Sequence, residues 1–275
     1  MDYSQYSLAK TGYLKEDFRL FHINDRTDRE FEWHYHDFHK IIVFVSGKVT
    51  YHIEGKAYQL KPQDILLVSQ GAIHKPEIDP SIPYERYIFW IRDDLSSPEL
   101  NTCFQKANDR SFNLIRLDSV LQEKLKDLLP EIEHSLRDTQ FGDSILSKAL
   151  FAQFMVYINR IFLKSSTAPD QKSYSSDSQV EQLLKYINRN LSENLSIDHL
   201  AERFFFSKYH MMRKFKKETG YTIHNYIISK RLLHARSLIT QGTPVMKAAM
   251  QSGFQDYTAF VRAYKKQFGT VPTQR

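Results

Sequence analysis

The chain has 275 residues, of which 41% are hydrophobic and 25% charged, and its formal net charge is +6. This length favours two domains over one, and the apolar content is sufficient for each domain to bury a core. A single cysteine excludes an internal disulfide framework, and we expect a soluble cytoplasmic protein because the N-terminus is polar and no run of about 18 apolar residues occurs.

The first 91 residues are predicted to be mostly β-structure. Residues 1–30 are polar with scattered aromatic residues and are predicted to form an arm with one or two strands. Short runs of β-branched and aromatic residues follow at 41–45, 49–53, 65–68 and 84–91, separated by turn signals. Strands of this length and spacing are typical of a sandwich or a small barrel.

A histidine pattern crosses these predicted strands. His34 and His36 come first, Lys40 follows, and His74 lies in a later segment after a glycine. This order resembles the two-part motif of the cupin family, in which two histidines and a glutamate precede a glycine and a second segment supplies a third histidine. The resemblance implies a β-barrel in which His34, His36 and His74 hold the metal-ligand positions.

Lys40 stands where the cupin pattern has its glutamate. An ammonium group repels a divalent cation and cannot coordinate it while protonated, so no cofactor is predicted. His39 is close by, but on a strand it points to the opposite face. Three interpretations remain open: a pocket for a small polar or anionic ligand, satisfied residues of the barrel, or a three-histidine metal site.

Aromatic and polar residues around the histidines are the candidate effector site. Aromatic walls with a few polar groups suit a small polar molecule such as a carbohydrate. The candidate effector-binding residues are Trp33, His34, His36, Lys40, His74, Tyr84 and Arg86.

Helical periodicity begins at Leu117. One helix is predicted from the leucines at positions 121, 125, 128 and 129, which follow the spacing i, i+4, i+7 and i+8. A second helix, apolar on most of its surface, is predicted at 144–163. These two helices are candidates for pairing with a second subunit. The Ser-rich stretch 165–177 contains Pro169, lacks apolar periodicity and is predicted to be a linker.

Positive charge is concentrated after the linker. Residues 177–275 contain 16 Lys and Arg against 7 Asp and Glu, a net charge of +9. The other residues contain 22 against 25, a net charge of −3. A basic domain beside an acidic one indicates a nucleic-acid partner.

One basic stretch in this region occurs twice. Residues 212–220, MRKFKKETG, recur 49 positions later as residues 261–269, VRAYKKQFG. Each copy is predicted to be a helix with a side-chain cap at its start, Ser207 or Asp256, and a glycine at its end, Gly220 or Gly269. Each follows a shorter helix across a tight turn, which is the helix-turn-helix arrangement.

Further helices are predicted around the two copies. They cover residues 180–191, a stretch capped by Ser196, residues 221–240 and residues 245–251. Thr243 is predicted to cap the last of these, with Pro244 in its first turn.

Five segments in this order carry a family resemblance: LSIDHLA, FSKYHMMRKFKKETG, YIISKRLLHAR, GFQDYTAFVRAYKKQFG and VPTQR. They resemble the DNA-binding domain of the AraC/XylS family of bacterial transcription regulators. An N-terminal cupin-like barrel followed by two helices is also usual in that family. The resemblance implies that the C-terminal domain binds DNA, while the barrel senses an effector or mediates dimerisation.

The expected fold has two domains. The N-terminal domain, 1–164, is an all-β cupin-like barrel at about 15–95 with two C-terminal α-helices at about 117–163. After the linker, residues 178–275 form an all-α domain with two helix-turn-helix modules.

The N-terminal turns of the two repeated helices are expected to contact base edges, and the lysines behind them phosphates. The arginines can pair bidentately with guanine. The candidate DNA-binding residues are Ser207, Lys208, Tyr209, Met212, Arg213, Lys216, Lys217, Asp256, Tyr257, Thr258, Val261, Arg262, Lys265 and Lys266.

We therefore expect a transcription regulator and not an enzyme, with double-stranded DNA, a small-molecule effector and a second copy of the chain as partners. The alternatives are a metal-dependent cupin enzyme fused to a DNA-binding domain, and a constitutive DNA-binding dimer without an effector. Ala248, Ser252 and Phe205 depart from the family pattern. The first two thin the core of the second module, so the first module is expected to carry more of the specific affinity.

Overall fold

The computed structural model describes residue 14 and residues 16–26, 30–137, 140–164 and 174–273. Among these residues, nine strands form two sheets. They are β1 (Phe18–Asp25), β2 (His39–Ser46), β3 (Val49–Ile53), β4 (Lys56–Gln59), β5 (Ile65–Val68), β6 (His74–Ile78), β7 (Tyr84–Ile91), β8 (Leu114–Ile115) and β9 (Tyr174–Ser176).

The two sheets pack face to face. One has the order β1-β7-β2-β5-β8 and the other β6-β3-β4-β9. Their shared core contains Ile42 and Phe44 of β2 together with Tyr51 and Ile53 of β3. Ile41 and Val43 point to the other face of β2, into a second core. The alternation of side chains along a strand therefore explains why β2 is buried on both faces.

Three helices cover the outer face of the five-stranded sheet: α1 (Thr102–Arg110), α2 (Ser119–Ser135) and α3 (Asp143–Lys164). By length and its hydropathy of 1.2, α3 could cross a membrane, and it is the one such helix among the described residues. It packs on the sheet instead, where Phe154 stacks on Phe89 with ring centroids 4.4 Å apart. This packing accounts for its apolar composition.

The C-terminal region is helical and has two cores. Its helices are α4 (Ser178–Arg189), α5 (Ile197–Arg203), α6 (Lys208–Thr219), α7 (Ile223–Thr240), α8 (Val245–Gln251) and α9 (Tyr257–Phe268). The first module, α5 and α6, shares a core with α4 and the start of α7. The second module, α8 and α9, shares one with the end of α7. The two-domain fold predicted from the sequence is confirmed.

Some predicted boundaries were wrong by one or two residues. Helix α7 begins at Ile223 rather than at 221, because the Thr222 hydroxyl accepts a hydrogen bond from the Asn225 amide at 3.2 Å and caps the helix. Pro244 is the residue before α8, not its first helical residue, since its carbonyl accepts the first helical bond. The predicted cap therefore moves from Thr243 to Pro244, which has no side chain able to cap.

The predicted linker contains a strand at its C-terminal end. Residues 165–173 lie outside the described residues, but Tyr174–Ser176 is β9, paired antiparallel with β4. The Tyr174 ring packs 5.7 Å from Tyr58, and the Lys56 ammonium lies 4.3 Å from its centre. These contacts hold a polar, Ser-rich segment in the sheet, and Asp177 follows directly as the N-cap of α4.

Candidate functional site

The two repeated helices begin and end alike. The Ser207 hydroxyl accepts from the His210 amide at 3.3 Å and caps α6. Asp256 accepts from the Thr258 and Ala259 amides at 2.7 and 3.1 Å and caps α9. Both helices end at a left-handed glycine, Gly220 at φ 75° and Gly269 at φ 74°. These caps and glycines fix where each helix begins and ends.

The predicted DNA-binding residues share one exposed surface on each helix. Thirteen of the fourteen are exposed, and Val261 is half-buried against the core of the second module. Met211 and Phe215 form the buried side of α6, as Phe260 and Tyr264 do in α9. Amphipathic spacing therefore directs the polar face of each helix outward.

The exposed face of α6 also makes contacts within the chain. The Lys208 ammonium lies 2.7 Å from the Asp198 carboxylate, and the Arg213 guanidinium lies 5.9 Å from the centre of the Tyr209 ring. Exposed contacts of this kind contribute at most about 1 kcal/mol, so both side chains can be drawn to another anion.

The turns before α6 and α9 differ in length. Four residues separate α5 from α6 and five separate α8 from α9. The left-handed position is Phe205 at φ 54° in the first turn and Gly253 at φ 88° in the second. The Phe205 side chain is 96% exposed. The first turn thus places an aromatic ring in solvent on a backbone conformation that favours glycine.

The barrel brings the three predicted histidines together with Lys40. Ligand atoms of His34, His36 and His74 lie within 4.8 Å of one another. The Lys40 ammonium is 3.0 Å from Nε2 of His36 and 3.1 Å from Nε2 of His74. Burial lowers the pKa of Lys40 to about 7. The same burial, with Lys40 next in importance, holds the pKa of His36 and His74 well below the ordinary histidine value.

The hydrogen bonds of His74 fix its tautomer. Its Nδ1 lies 2.8 Å from the Ala72 carbonyl and must donate, so the lone pair on Nε2 faces the Lys40 ammonium. That lone pair is the one a metal ion would need. Lys40 therefore occupies the position of an ion between two of the three imidazoles, and this donor set does not fit a divalent metal with Lys40 in place.

The other predicted effector residues lie apart from this cluster. Arg86 and Tyr84 are buried in β7, where the Arg86 guanidinium donates to Asp25 and to the Tyr84 carbonyl. Trp33 packs against Gly220 at the end of α6, on the helical domain. His39 points to the opposite face from Lys40 and stacks on Phe104 at 4.1 Å, as the alternation of strand residues predicted.

Charged residues join the barrel to the helical domain. The Glu54 carboxylate, in the turn between β3 and β4, accepts from the Tyr226 hydroxyl at 2.5 Å and from the Lys230 ammonium at 2.8 Å. The Arg236 guanidinium donates to Asp37 at 2.8 Å. All three helical partners lie on α7, so α7 docks on the barrel along its length.

A cleft of about 400 Å³ lies between the two domains. Its lining comes from the barrel side, including α1, and from α4 and α7. Sequence reasoning did not find it, because its residues come from many separate elements and form no local motif. Lining residues include Gln70, Asn101, Gln105, Asn108, Asn113, Lys185, Asn188 and Ser237.

Comparison with known proteins gives two family matches. A model described as an AraC-like ligand binding domain matches residues 19–155, and one described as a helix-turn-helix domain matches residues 200–275. The HTH-type transcriptional activator RhaR of Mannheimia succiniciproducens is 23% identical over 246 residues, covering 89% of this chain and 86% of that protein. The activator RhaS of Yersinia pestis is 24% identical over 262 residues, with 88% of each covered. The solved structure of ToxT from Vibrio cholerae is 14% identical, covers 94% of this chain and 96% of that one, and has a TM-score of 0.37.

Proposed function

The chain belongs to the AraC family of transcription regulators, and we propose that it binds duplex DNA by laying α6 and α9 in consecutive major grooves. It is a ligand-responsive regulator with an AraC-type ligand-binding domain and helix-turn-helix modules. The carrying observation is the position of Arg213 and Arg262, each exposed and each six residues after the cap of its helix. Grooves one helical turn apart would place the two helices roughly 34 Å from each other.

The residues on these helices have separate proposed roles in DNA binding. Arg213 and Arg262 pair with guanine or the backbone, while Thr258 and Val261 meet a thymine methyl group. Lys208, Lys216, Lys217, Lys265 and Lys266 contact phosphates, and Ser207 and Asp256 fix the helix starts. Tyr209, Met212 and Tyr257 fill the groove.

The proposed effector site lies in the barrel. We assign a small polar molecule, such as a carbohydrate, to the polar interior that holds His34, His36, Lys40 and His74. Its support is Nδ1 of His36, a buried ring nitrogen without a hydrogen-bond partner. Nε2 of that ring faces the Lys40 ammonium, so Nδ1 carries the proton. Nδ1 can therefore donate a hydrogen bond to an acceptor on a ligand. Tyr84, Arg86 and Trp33 lie apart from this cluster and are not assigned to it.

A second copy of the chain is the proposed protein partner. Several apolar side chains on the outer surfaces of α2 and α3 are exposed, among them Val120, Ile145 and Leu146. Exposed apolar groups on neighbouring helices are typical of a subunit interface. Sedimentation equilibrium of the full chain should show a dimer that Ile145→Asp weakens, and a monomeric wild type would contradict the proposal.

We propose further properties of the chain on the same grounds. The domains are 1–164 and 178–275, the protein acts in the cytoplasm where its DNA target lies, and it is not an enzyme. A cupin enzyme would require a metal between the three histidines, and Lys40 fills that space. Purified protein carrying stoichiometric metal would contradict this assignment.

DNA binding tests the proposal directly. The full chain with Arg213→Ala or Arg262→Ala should lose about 1–3 kcal/mol of binding free energy to its operator, roughly a 5- to 150-fold loss of affinity. Arg26, exposed in the loop after β1, gives a matched Arg→Ala control that should bind as the wild type does. Gel-shift titrations in which both helix variants match that control would show that α6 and α9 do not contact DNA.

A further inference from the structure

Three phenylalanines in a row form the turn of the first module, and the middle one points away from the protein. Phe204 and Phe206 pack against the core of this module. The Phe204 ring lies 5.6 Å from the Tyr186 ring, and the Phe206 ring lies 5.7 Å from the His210 ring. The Phe205 side chain between them is 96% exposed, the highest value for a large hydrophobic residue in the described part of the helical domain. Its ring therefore contributes little to the core.

The backbone of this turn also favours a residue other than phenylalanine. The Phe205 amide donates to the Glu202 carbonyl at 3.2 Å, and the Phe206 amide donates to the Ala201 carbonyl at 2.9 Å. These two bonds form a Schellman motif, which holds position 205 in the left-handed conformation and is usually built with glycine there. The second module has Gly253 at the equivalent place. Folding alone therefore favours glycine at position 205, and strained residues of this kind concentrate at functional sites.

Phe205 lies beside the part of α6 that is proposed to enter DNA. It precedes Ser207, the cap of α6, by two residues, so the two Cα atoms are at most about 7 Å apart. Lys208 and Tyr209 follow the cap and are exposed, and so is Arg213 one turn later. In a helix-turn-helix module the second helix presents its N-terminal residues to base edges. The exposed ring therefore adjoins a cationic surface that suits a polyanion such as duplex DNA.

The chemistry of the major groove selects the base that such a ring can contact. Adenine, guanine and cytosine present hydrogen-bond donors and acceptors there, whereas thymine also presents its C5-methyl group. A phenyl ring has no hydrogen-bonding group to offer to a base edge. The methyl group of thymine is therefore the apolar surface in the groove against which the ring can bury its own.

We propose that Phe205 is a specificity-determining residue of the first module, and that its ring packs on the methyl group of a thymine in the groove that α6 enters. This inference rests on the proposed binding of α6 to DNA, and it adds a residue that lies in the turn, outside the helix. Burial of one methyl group contributes about 0.8 kcal/mol, which corresponds to about a fourfold change in affinity. Gly253 has no side chain, so the turn of the second module makes no such contact.

Removal of single methyl groups from the DNA tests this contact. The probe is a duplex that the full-length wild-type chain selects from a randomised library, with each thymine replaced in turn by deoxyuridine. This replacement deletes the methyl group and keeps the base pair. The variants Phe205→Asn and Phe205→Gly lack the ring and tolerate the left-handed conformation, so both should fold. Phe205→Tyr keeps the ring and is the matched control.

The α6 half of the duplex is the half in which Arg213→Ala relaxes the base preference. We expect one deoxyuridine in that half to weaken wild-type binding about fourfold. Phe205→Asn and Phe205→Gly should bind the thymine duplex about fourfold more weakly than the wild type does, and they should lose nothing further at that deoxyuridine. Phe205→Tyr should show the same loss at that deoxyuridine as the wild type.

Three results would overturn the inference. In the first, wild-type binding is indifferent to every thymine methyl group in the α6 half. In the second, both ringless variants still lose affinity at the same deoxyuridine, because another residue then contacts the methyl group. In the third, the ringless variants bind all duplexes, with or without the methyl group, more weakly by one common factor, which places the ring on the DNA backbone. The proposed function itself fails only if Arg213→Ala and Arg262→Ala bind as the wild type does, so the two failures are distinguishable.

Discussion

The two helix-turn-helix modules repeat one sequence but have different neighbours. The core of the first module includes Ile73 of the barrel, with Trp33 and Tyr35 packed against it. The core of the second module contains residues of α7, α8 and α9 and the segments that join them. A repeated motif therefore determines the helices and their caps, while tertiary contacts give the first module a direct connection to the ligand-binding domain.

The glycines that end α6 and α9 show the same contrast. At Gly220 a side-chain Cβ would lie 2.3 Å from the Trp33 ring, whereas at Gly269 no atom lies within 4 Å among the residues described. The backbone angles are nearly the same. The C-terminal end of α6 therefore contacts Trp33 of the barrel. At the end of α9, the Phe268 ring lies 4.8 Å from the Arg236 guanidinium, which donates to Asp37.

The largest effect is expected at the turn of the second module. A Cβ at Gly253 would lie 2.2 Å from the Leu191 carbonyl oxygen and 2.8 Å from Nε of Arg231, which donates to that oxygen. Gly253→Ala should therefore lower the free energy of unfolding by about 3 kcal/mol or more, because of left-handed strain and displacement of Arg231. Chemical denaturation of the full chain measures this loss of stability. A cost below about 1 kcal/mol would mean that the modules are not locked together at this point.

Removing Glu54 should affect the barrel turn and the helices docked on it, and leave α9 unchanged. Glu54→Ala leaves the buried Tyr226 hydroxyl and the Lys230 ammonium without their carboxylate, at a cost of about 2–3 kcal/mol. Amide hydrogen exchange should increase in α4 and the first half of α7 and stay constant in α9. Glu202→Ala, at an exposed position on α5, is the control. Equal changes in α7 and α9 would contradict the asymmetry.

The two terminal glycines form a matched pair. Gly269→Ala should cost about 1–2 kcal/mol, the strain of a left-handed alanine. Gly220→Ala carries the same strain and must also displace Trp33, so it should cost more and shift the tryptophan emission. Denaturation curves and fluorescence spectra of both variants measure the difference. Equal costs with unchanged emission would show that Trp33 does not pack there in solution.

The smallest expected effect is a gain in stability. Phe205→Gly removes left-handed strain from an exposed aromatic residue, so the first module should become more stable by about 1 kcal/mol or less. The Tm of the full chain measures this gain. A loss of stability would mean that the Phe205 ring has a packing partner, and a loss confined to DNA affinity would assign the ring to the DNA interface.

The sequence predicts what depends on local pattern. The caps Ser207 and Asp256, the glycine ends of α6 and α9 and the β-branched runs of β2 and β5 lie where predicted, because spacing and side-chain type determine them. The meeting of Lys40 with His36 and His74 followed from alternation on a strand together with the cupin resemblance.

Long-range contacts could not be predicted in this way. Glu54 precedes a glycine and indicated only a turn, although its carboxylate binds residues more than 170 positions later. Helix α1 was missed because its buried residues, Cys103, Phe104 and Ala107, are too few for a clear period.

Strand β9 has a consequence for dividing the protein into fragments. It covers the outer edge of β4 and is followed at once by the cap of α4. A barrel fragment that ends at Lys164 would therefore present β4 as an open strand edge, with unpaired amides and carbonyls available to another chain. Such a fragment should aggregate or swap strands, and a dimer formed that way would be an artefact of cleavage. Fragments that keep residues up to Ser176 avoid this hazard.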